Sequence, residues 1–570
     1  MSSGGTTTAA ASSTASAAST TRRGHAPRAP REFGKRDLAL LFAGLMVAML
    51  LASLNNTVLS TAMPTIVGEL HGVEHMSWVV TSFILASTIV MPIYGNLSDL
   101  VGRRPMLIAA ITIFVGGSIV GALAQDITLL IVARLIQGLG GGGLMILSQA
   151  AIADVVPARE RGRYMGIMGG VFAFSSVAGP LLGGWLTEGP GWRWAFWINL
   201  PLGALALLAA IFLLRLPKKE GERPRVDYLG MTLIAVATTC LVLVVTWGGT
   251  QYEWGSPEII GLIAGAVVAA ALFVLVEWKA ATPVMPLALF RDRNFNLTTL
   301  ASLAIGIAMF GTLGYMPTYL QMITGAGATV SGLLMIPMMG TLLITSIITG
   351  QAVSRTGRYK LLPIIGTVVV AGALYLLSTI VVDTPIWVVC AYLGVLGIGL
   401  GLSMQILTLI VQNSFPLRIV GTATAATNYF RQVGATLGSA VVGSFFASRL
   451  KENVAAHMPV GAAPSDGAAS FTPSAIAGLP EPIHTIILTA YNEALIPIFL
   501  VLVPVVAVAV VALCFVVEKP LATAIEREIP SESLATGQLQ VIDPGLDKDA
   551  TGASFEPPAR ERRAHAGSKG

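Results

Sequence analysis

The chain has 570 residues, of which 54% are hydrophobic and only 11% are Asp, Glu, Lys or Arg, with mean hydropathy +0.75. A soluble globular protein carries about 25% charged residues, so this chain cannot cover a water-exposed surface of its size. That excludes a soluble enzyme and a nucleic-acid binder, and leaves the net charge of +5 to be explained by where the charges lie.

Residues 1–36 are rich in Ser, Thr and Ala and end in a basic stretch; the first apolar run begins too late and is too long for a signal peptide. A bilayer core about 30 Å thick needs roughly 20 apolar residues at 1.5 Å each. Fourteen such runs follow, at 38–66, 76–97, 106–124, 128–152, 164–186, 194–214, 228–248, 257–277, 296–317, 329–350, 361–382, 385–410, 420–446 and 486–517. Loops after even-numbered runs hold seventeen basic residues, from Arg103 to Arg418, whereas loops after odd-numbered runs hold only Arg193, Arg449 and Lys451. Basic loops stay in the cytoplasm, which puts both termini there. The fold expected is an all-α membrane protein with 14 transmembrane helices. Its segments are a tail 1–36, a six-helix bundle 37–214, a linker 215–294 with two extra helices, a second six-helix bundle 295–517 with an outside loop 447–485, and a polar, disordered cytoplasmic tail 518–570.

Cys240, Cys390 and Cys514 are far apart in apolar runs without metal-ligand spacing, and none of the six histidines falls in mid-span. Neither a metal centre nor a histidine proton relay is expected, and no cofactor is implied. No G-x-x-x-x-G-K-[ST] loop occurs, so ATP is not hydrolysed directly.

Between runs 2 and 3, Gly95, Asp99, Gly102, Arg103 and Arg104 are spaced G-x-x-x-D-x-x-G-R-R. Gly95 permits close helix approach, Gly102 suits a turn with positive φ, and Asp99 beside two arginines offers charge-assisted hydrogen bonds that form in one conformation and break in another. The pattern resembles the signature loop of the major facilitator superfamily. A degenerate copy without the acid, Gly350 to Arg358, follows run 10, where a repeat of the six-helix half belongs. Two helices inserted between halves resemble the fourteen-helix drug:proton antiporter branch. Arg134, Gln137 and Gly138 in run 4 resemble that branch's R-x-x-Q-G motif, and Arg134, Gln137 and Gly141 share one helix face. Gly179, Pro180, Gly183 and Gly184 end a small-residue seam in run 5 and resemble the motif of exporters. Gln321 near the end of run 9 and Arg431 with Gln432 in run 13 also match the branch.

One position departs. Run 1 carries Asn55, with Thr57 two residues on, where the resemblance implies an Asp associated with protonation or cationic substrates. Asn keeps the size and hydrogen bonding of Asp but takes up no proton. No carboxylate lies near the centre of any run: Asp37, Asp227 and Glu277 sit at cytoplasmic ends and Glu493 near the outer boundary. Two buried positive residues, Arg134 and Arg431, therefore suit a neutral or anionic lipophile better than a cation.

The expectation is a multi-pass transporter of the cell membrane, not an enzyme, exporting amphipathic drugs, antibiotics or secondary metabolites by alternating access. Its partners are the lipid bilayer, the amphipathic substrate and protons, not nucleic acid. Export of a lipid or envelope component, or facilitation without proton coupling, is the alternative that Asn55 favours. A membrane enzyme finds no base at membrane depth, and a sensor would append a folded domain.

Overall fold

The computed structural model describes residues 35–72, 75–214, 226–249, 251–325, 328–457 and 481–523. The basic stretch 215–225 and the greater part of both expected tails lie outside the described residues. The helices are α1 (Lys35–Glu69), α2 (Met76–Val101), α3 (Arg103–Ala122), α4 (Ile127–Val155), α5 (Ala158–Glu188), α6 (Trp194–Trp197) and α7 (Asn199–Phe212); α8 (Tyr228–Trp247) and α9 (Pro257–Lys279); then α10 (Arg293–Leu313), α11 (Met316–Thr324), α12 (Ala328–Leu334), α13 (Ile336–Thr356), α14 (Leu361–Leu377), α15 (Ile386–Ser414), α16 (Val420–His457) and α17 (Glu481–Cys514). Among the described residues thirteen helical segments are long and apolar enough to cross a membrane, and α14 is a shorter apolar helix in the place of the eleventh expected span.

Local chemistry sets the boundaries. Asp126, Asp227, Ser256 and Asp292 each accept a backbone N–H from the first turn of α4, α8, α9 and α10, satisfying donors that the helix leaves free. Expected spans 9 and 10 are each broken in two. Pro317 and Pro337 stand in the first turns of α11 and α13, where their missing N–H costs nothing but prevents a continuous helix. The outside loop expected over 447–485 is shorter than that. α16 continues to His457 and α17 begins at Glu481, so only 458–480 fall between them, outside the described residues.

Helices α1–α7 pack on one another, as do α10–α17. The two groups meet chiefly along α5 on α13 and α2 on α16, with further contacts of α5 on α15 and α12 and of α4 on α16; the α8–α9 hairpin lies beside α2 and α16. The tight packing of α4 depends on its glycines. A Cβ at Gly138 would stand 2.6 Å from the Phe83 carbonyl on α2, and one at Gly140 would stand 2.6 Å from the Ala110 carbonyl on α3.

The first residues of the expected C-terminal tail are docked rather than free. Asn294 and Val517 exchange two hydrogen bonds of 2.8 Å, and the Glu518 carboxylate accepts the Tyr359 N–H at 2.7 Å. Lys519 Nζ pairs with Asp292 at 3.0 Å, and the Ala522 carbonyl accepts the Arg159 N–H of α5 at 3.1 Å. This strap crosses the face that carries the arginine-rich loops, hereafter the basic face.

Gly140→Val is expected to abolish monodisperse folded protein in detergent, since the Ala110 carbonyl and the Phe114 backbone nitrogen, each 2.6 Å from a Cβ there, cannot yield. Gly116→Val, whose Cβ meets nothing within 4 Å, should leave the melting temperature and elution profile unchanged.

Candidate functional site

On the basic face, each group of helices ends in charges that the other group's helix termini complement. Asp99, in the last turn of α2, accepts the N–H groups of Gly421 (3.3 Å) and Thr422 (2.6 Å) and the Thr422 hydroxyl (2.6 Å), all in the first turn of α16. A carboxylate there meets the positive end of the helix dipole. Gly95 lets α16 approach, because a Cβ would run into Gly421 and Ala425. Gly102 takes the turn with φ 111°. Arg103 holds Asp99 at 2.5 Å and Asp154 of α4 at 3.0 Å, and also donates to the Ser98 hydroxyl. Arg104 does not join Asp99; it donates to the Ile211 carbonyl at the end of α7, 2.8 Å away.

The second seam uses the opposite charge. The degenerate loop has no acid, and its helix α13 presents a carbonyl end. The Arg159 guanidinium of α5 donates to the Ser354 and Arg355 carbonyls there, at 3.4 and 3.2 Å. Arg161, buried, donates to Ala153 (2.6 Å) and Val156 (2.9 Å) at the end of α4 and to Gln412 (3.5 Å) near the end of α15. Cations at helix C-termini satisfy carbonyls that lack intrahelical donors. Close glycines finish the contact: Cβ atoms on Gly166 and Gly350 would collide with Ser346 and Gly162 across the α5–α13 seam.

Deeper in, Asn55, Arg134 and Gln137 come together in one buried network. Asn55 Oδ1 accepts from Gln137 Nε2 (3.2 Å) and Asn199 Nδ2 (2.9 Å), and both amides also donate to the Ser118 hydroxyl. Arg134 donates to Gln137 Oε1 (3.1 Å), Asn56 Oδ1 (3.1 Å) and the Val79 carbonyl (3.2 Å), with its guanidinium 4.2 Å above the Phe83 ring. Neutral acceptors and a ring face thus satisfy a cation at 1% exposure, with no carboxylate among the described residues of the network. The Asn55 Nδ2 group is buried without an acceptor.

Thr57 belongs to a packing contact instead. Its hydroxyl reaches the Ser175 carbonyl of α5 at 3.0 Å, and Gly179 and Gly183 receive α1 at Thr57 and Val58. Pro180 lies against Gly332 of α12, and Gly184 faces open space. The small-residue seam of α5 therefore serves two partners, α13 towards the basic face and α1 farther along.

Arg431 donates to Asn428, which donates to Gln149 of α4 at 3.0 Å, linking the two helix groups. Gln412 Nε2 reaches Thr424 (3.3 Å) and the Gln149 carbonyl (3.4 Å). Gln321 on α11 and Gln432 on α16 are half-buried and join neither network. Sequence reasoning passes over this layer, although Gln405, Thr408 and Gln412 stand at i, i+3 and i+7 on one face of α15. Six of its buried polar atoms have no partner: Ser148 Oγ, Gln149 Nε2, Thr349 Oγ1, Gln405 Oε1, Thr408 Oγ1 and Gln412 Oε1. A buried polar atom left without any partner costs about 1–3 kcal/mol.

Thr408→Val keeps the shape and removes an orphaned hydroxyl. The folded protein should gain about 1 kcal/mol, read as a rise in melting temperature by differential scanning fluorimetry; a fall would show that the hydroxyl has a partner.

The chain matches the Major Facilitator Superfamily over residues 45–439. It is 42% identical to an MFS-type transporter of Mycobacterium tuberculosis (strain ATCC 25618 / H37Rv) over 486 residues, 85% of this chain and 70% of that one. It is 38% identical to the multidrug transporter protein MdtP of Bacillus subtilis (strain 168) over 412 residues, 72% of this chain and 75% of that one. In fold it is similar to the proton:xylose symporter XylE (TM-score 0.58, 16% identity, 85% and 98% of the two chains). It is similar also to the human organic anion transporter MFSD10 (TM-score 0.56, 14% identity, 83% and 99%). A transporter's architecture, the signature loop seated on α16 and relatives at this identity agree: the chain is a membrane transporter that belongs to the Major Facilitator Superfamily.

Proposed function

We propose that this transporter is an exporter of amphipathic compounds across the cytoplasmic membrane, with the basic face and both termini in the cytoplasm. The orientation rests on the basic loops, and export rests on the seam Gly179 to Gly184 and on relatives whose names record multidrug transport and multidrug resistance. Transport proceeds by alternating access, α1–α7 rocking against α10–α17, with the arrangement described here closed to the cytoplasm. Asp99, Arg103, Arg159 and Arg161 form the closure; Asn55, Arg134, Gln137 and Arg431 border the passage between the bundles.

The observation that carries the substrate class is the network around Asn55. It holds a buried guanidinium satisfied only by neutral groups, so an incoming cation finds no counter-charge. Neutral or anionic lipophiles are the preferred cargo. A second reading, transport without proton coupling, is favoured by the same residue, because Asn55 cannot titrate. The site nonetheless accommodates a carboxylate: Gln137 and Asn199 already donate to one oxygen position, and the other atom is a donor without an acceptor.

Purified protein in liposomes should move the neutral dye Nile red and move ethidium weakly, while Asn55→Asp should increase ethidium flux several-fold. Strong ethidium transport by the unaltered protein would contradict the substrate assignment. Acceleration of Nile red flux by an imposed pH gradient supports proton antiport; flux indifferent to the gradient supports the uncoupled reading.

A further inference from the structure

The inserted α8–α9 hairpin is fastened at one end and splayed at the other. At the basic face Asn96 of α2 donates to the Pro283 carbonyl at 2.7 Å, and the Glu277 carboxylate accepts the Val284 and Met285 N–H groups at 3.0 and 3.3 Å. Midway, the Thr238 and Tyr429 hydroxyls bond at 2.9 Å, joining α8 to α16. Beyond that point Trp247 still meets Trp78 of α2 edge-on at 5.7 Å, while residues of α8 and α16 line an open groove. The gap is a groove of about 1170 Å³ between Leu241 and Val245 on one wall, Leu437 and Val441 on another, and Tyr315 at the back. That is above the roughly 300–1,000 Å³ of pockets for drug-sized ligands.

Its depth fixes what fills it. From Leu437 to Lys451 the α16 wall rises ~21 Å at 1.5 Å per residue. A single leaflet contributes roughly 15 Å of hydrocarbon before its headgroups begin. The apolar wall therefore spans acyl-chain depth, and the rim, with Trp254, Ser448 and Lys451, falls at headgroup depth, where aromatic and basic side chains anchor. Lys451 is exposed and takes part in none of the ion pairs among the described residues. Glu253 and Glu452, the acids adjacent in sequence to rim residues, do not line the groove.

We propose that this groove is a binding site for an anionic phospholipid of the leaflet away from the basic face, its acyl chains between α8 and α16 and its phosphate on Lys451. The lipid fills the wedge that the hairpin leaves open and holds the far end of α8 against the C-terminal bundle. The site is separate from the passage between the bundles, and it does not depend on which compound is exported.

Native mass spectrometry of the full chain, titrated with phosphatidylglycerol and phosphatidylethanolamine of matched acyl chains, tests it. The unaltered protein should retain one phosphatidylglycerol with roughly fivefold preference, the worth of one lysine facing an anionic headgroup. Lys451→Gln, an exposed substitution that leaves the fold intact, should remove the preference while keeping the lipid. Val441→Trp should lose the lipid, whereas Val268→Trp on the outer surface of α9 should keep it. Equal retention of both lipids by the unaltered protein, or an unchanged preference in Lys451→Gln, would overturn the proposal.

Discussion

The arrangement depends on how helix ends of one bundle meet charges of the other. α16 starts at the seam and exposes N–H groups; Asp99 accepts two of them. α13 and α15 end at the seam and expose carbonyls; Arg159 and Arg161 donate to them. A buried carboxylate or guanidinium without such partners would be severely penalised. Each charge is therefore stable only while the bundles touch on this face, or while water reaches it when they part. In the proposed alternating-access cycle this contact is the element that forms and breaks.

Above the seam the chemistry changes from ionic to neutral. The layer of Gln149, Gln405, Gln412 and Asn428 carries orphaned donors and acceptors, and the Asn55 network satisfies Arg134 without an acid. In the proposed alternating-access cycle the ionic contacts favour closure and the unpartnered groups oppose it. Absence of a carboxylate at Asn55 fits cargo without positive charge, and it separates this chain from what the motif resemblance alone implies.

The sequence made the spans and the signature loop legible because both rest on local rules: apolar length against bilayer thickness, and glycine or proline at turns. The positive φ at Gly102 and the buried Asp99–Arg103 pair follow from spacing alone. Partner choice did not. Arg104 and Arg103 are adjacent in sequence, yet one reaches α7 and the other α2 and α4. Arg159 and Arg161 read as ordinary loop cations: the Arg159 acceptors are carbonyls of α13, 195 and 196 residues away, and Arg161 adds to two nearby carbonyls of α4 one of α15, 251 residues away. Thr57 looks like a pathway residue beside Asn55, but one helical face over it is pinned to α5. The breaks at Pro317 and Pro337 were visible as prolines, though hydropathy ran the tenth span through Pro337 and ended the ninth at Pro317, short of the helix that continues to Thr324. The polar last turns of α16, which runs on to His457, carry no apolar signal.

The claim that helix-end charges hold the basic face shut is tested most directly by the distance across it. Spin labels at Val101→Cys on α2 and Thr356→Cys on α13, in a background lacking Cys240, Cys390 and Cys514, report that distance by pulsed electron paramagnetic resonance. One narrow short-distance population is expected with Asp99 and Arg161 intact, and a second, longer population with Asp99→Asn or Arg161→Gln. Distributions that do not change with either substitution would contradict the account.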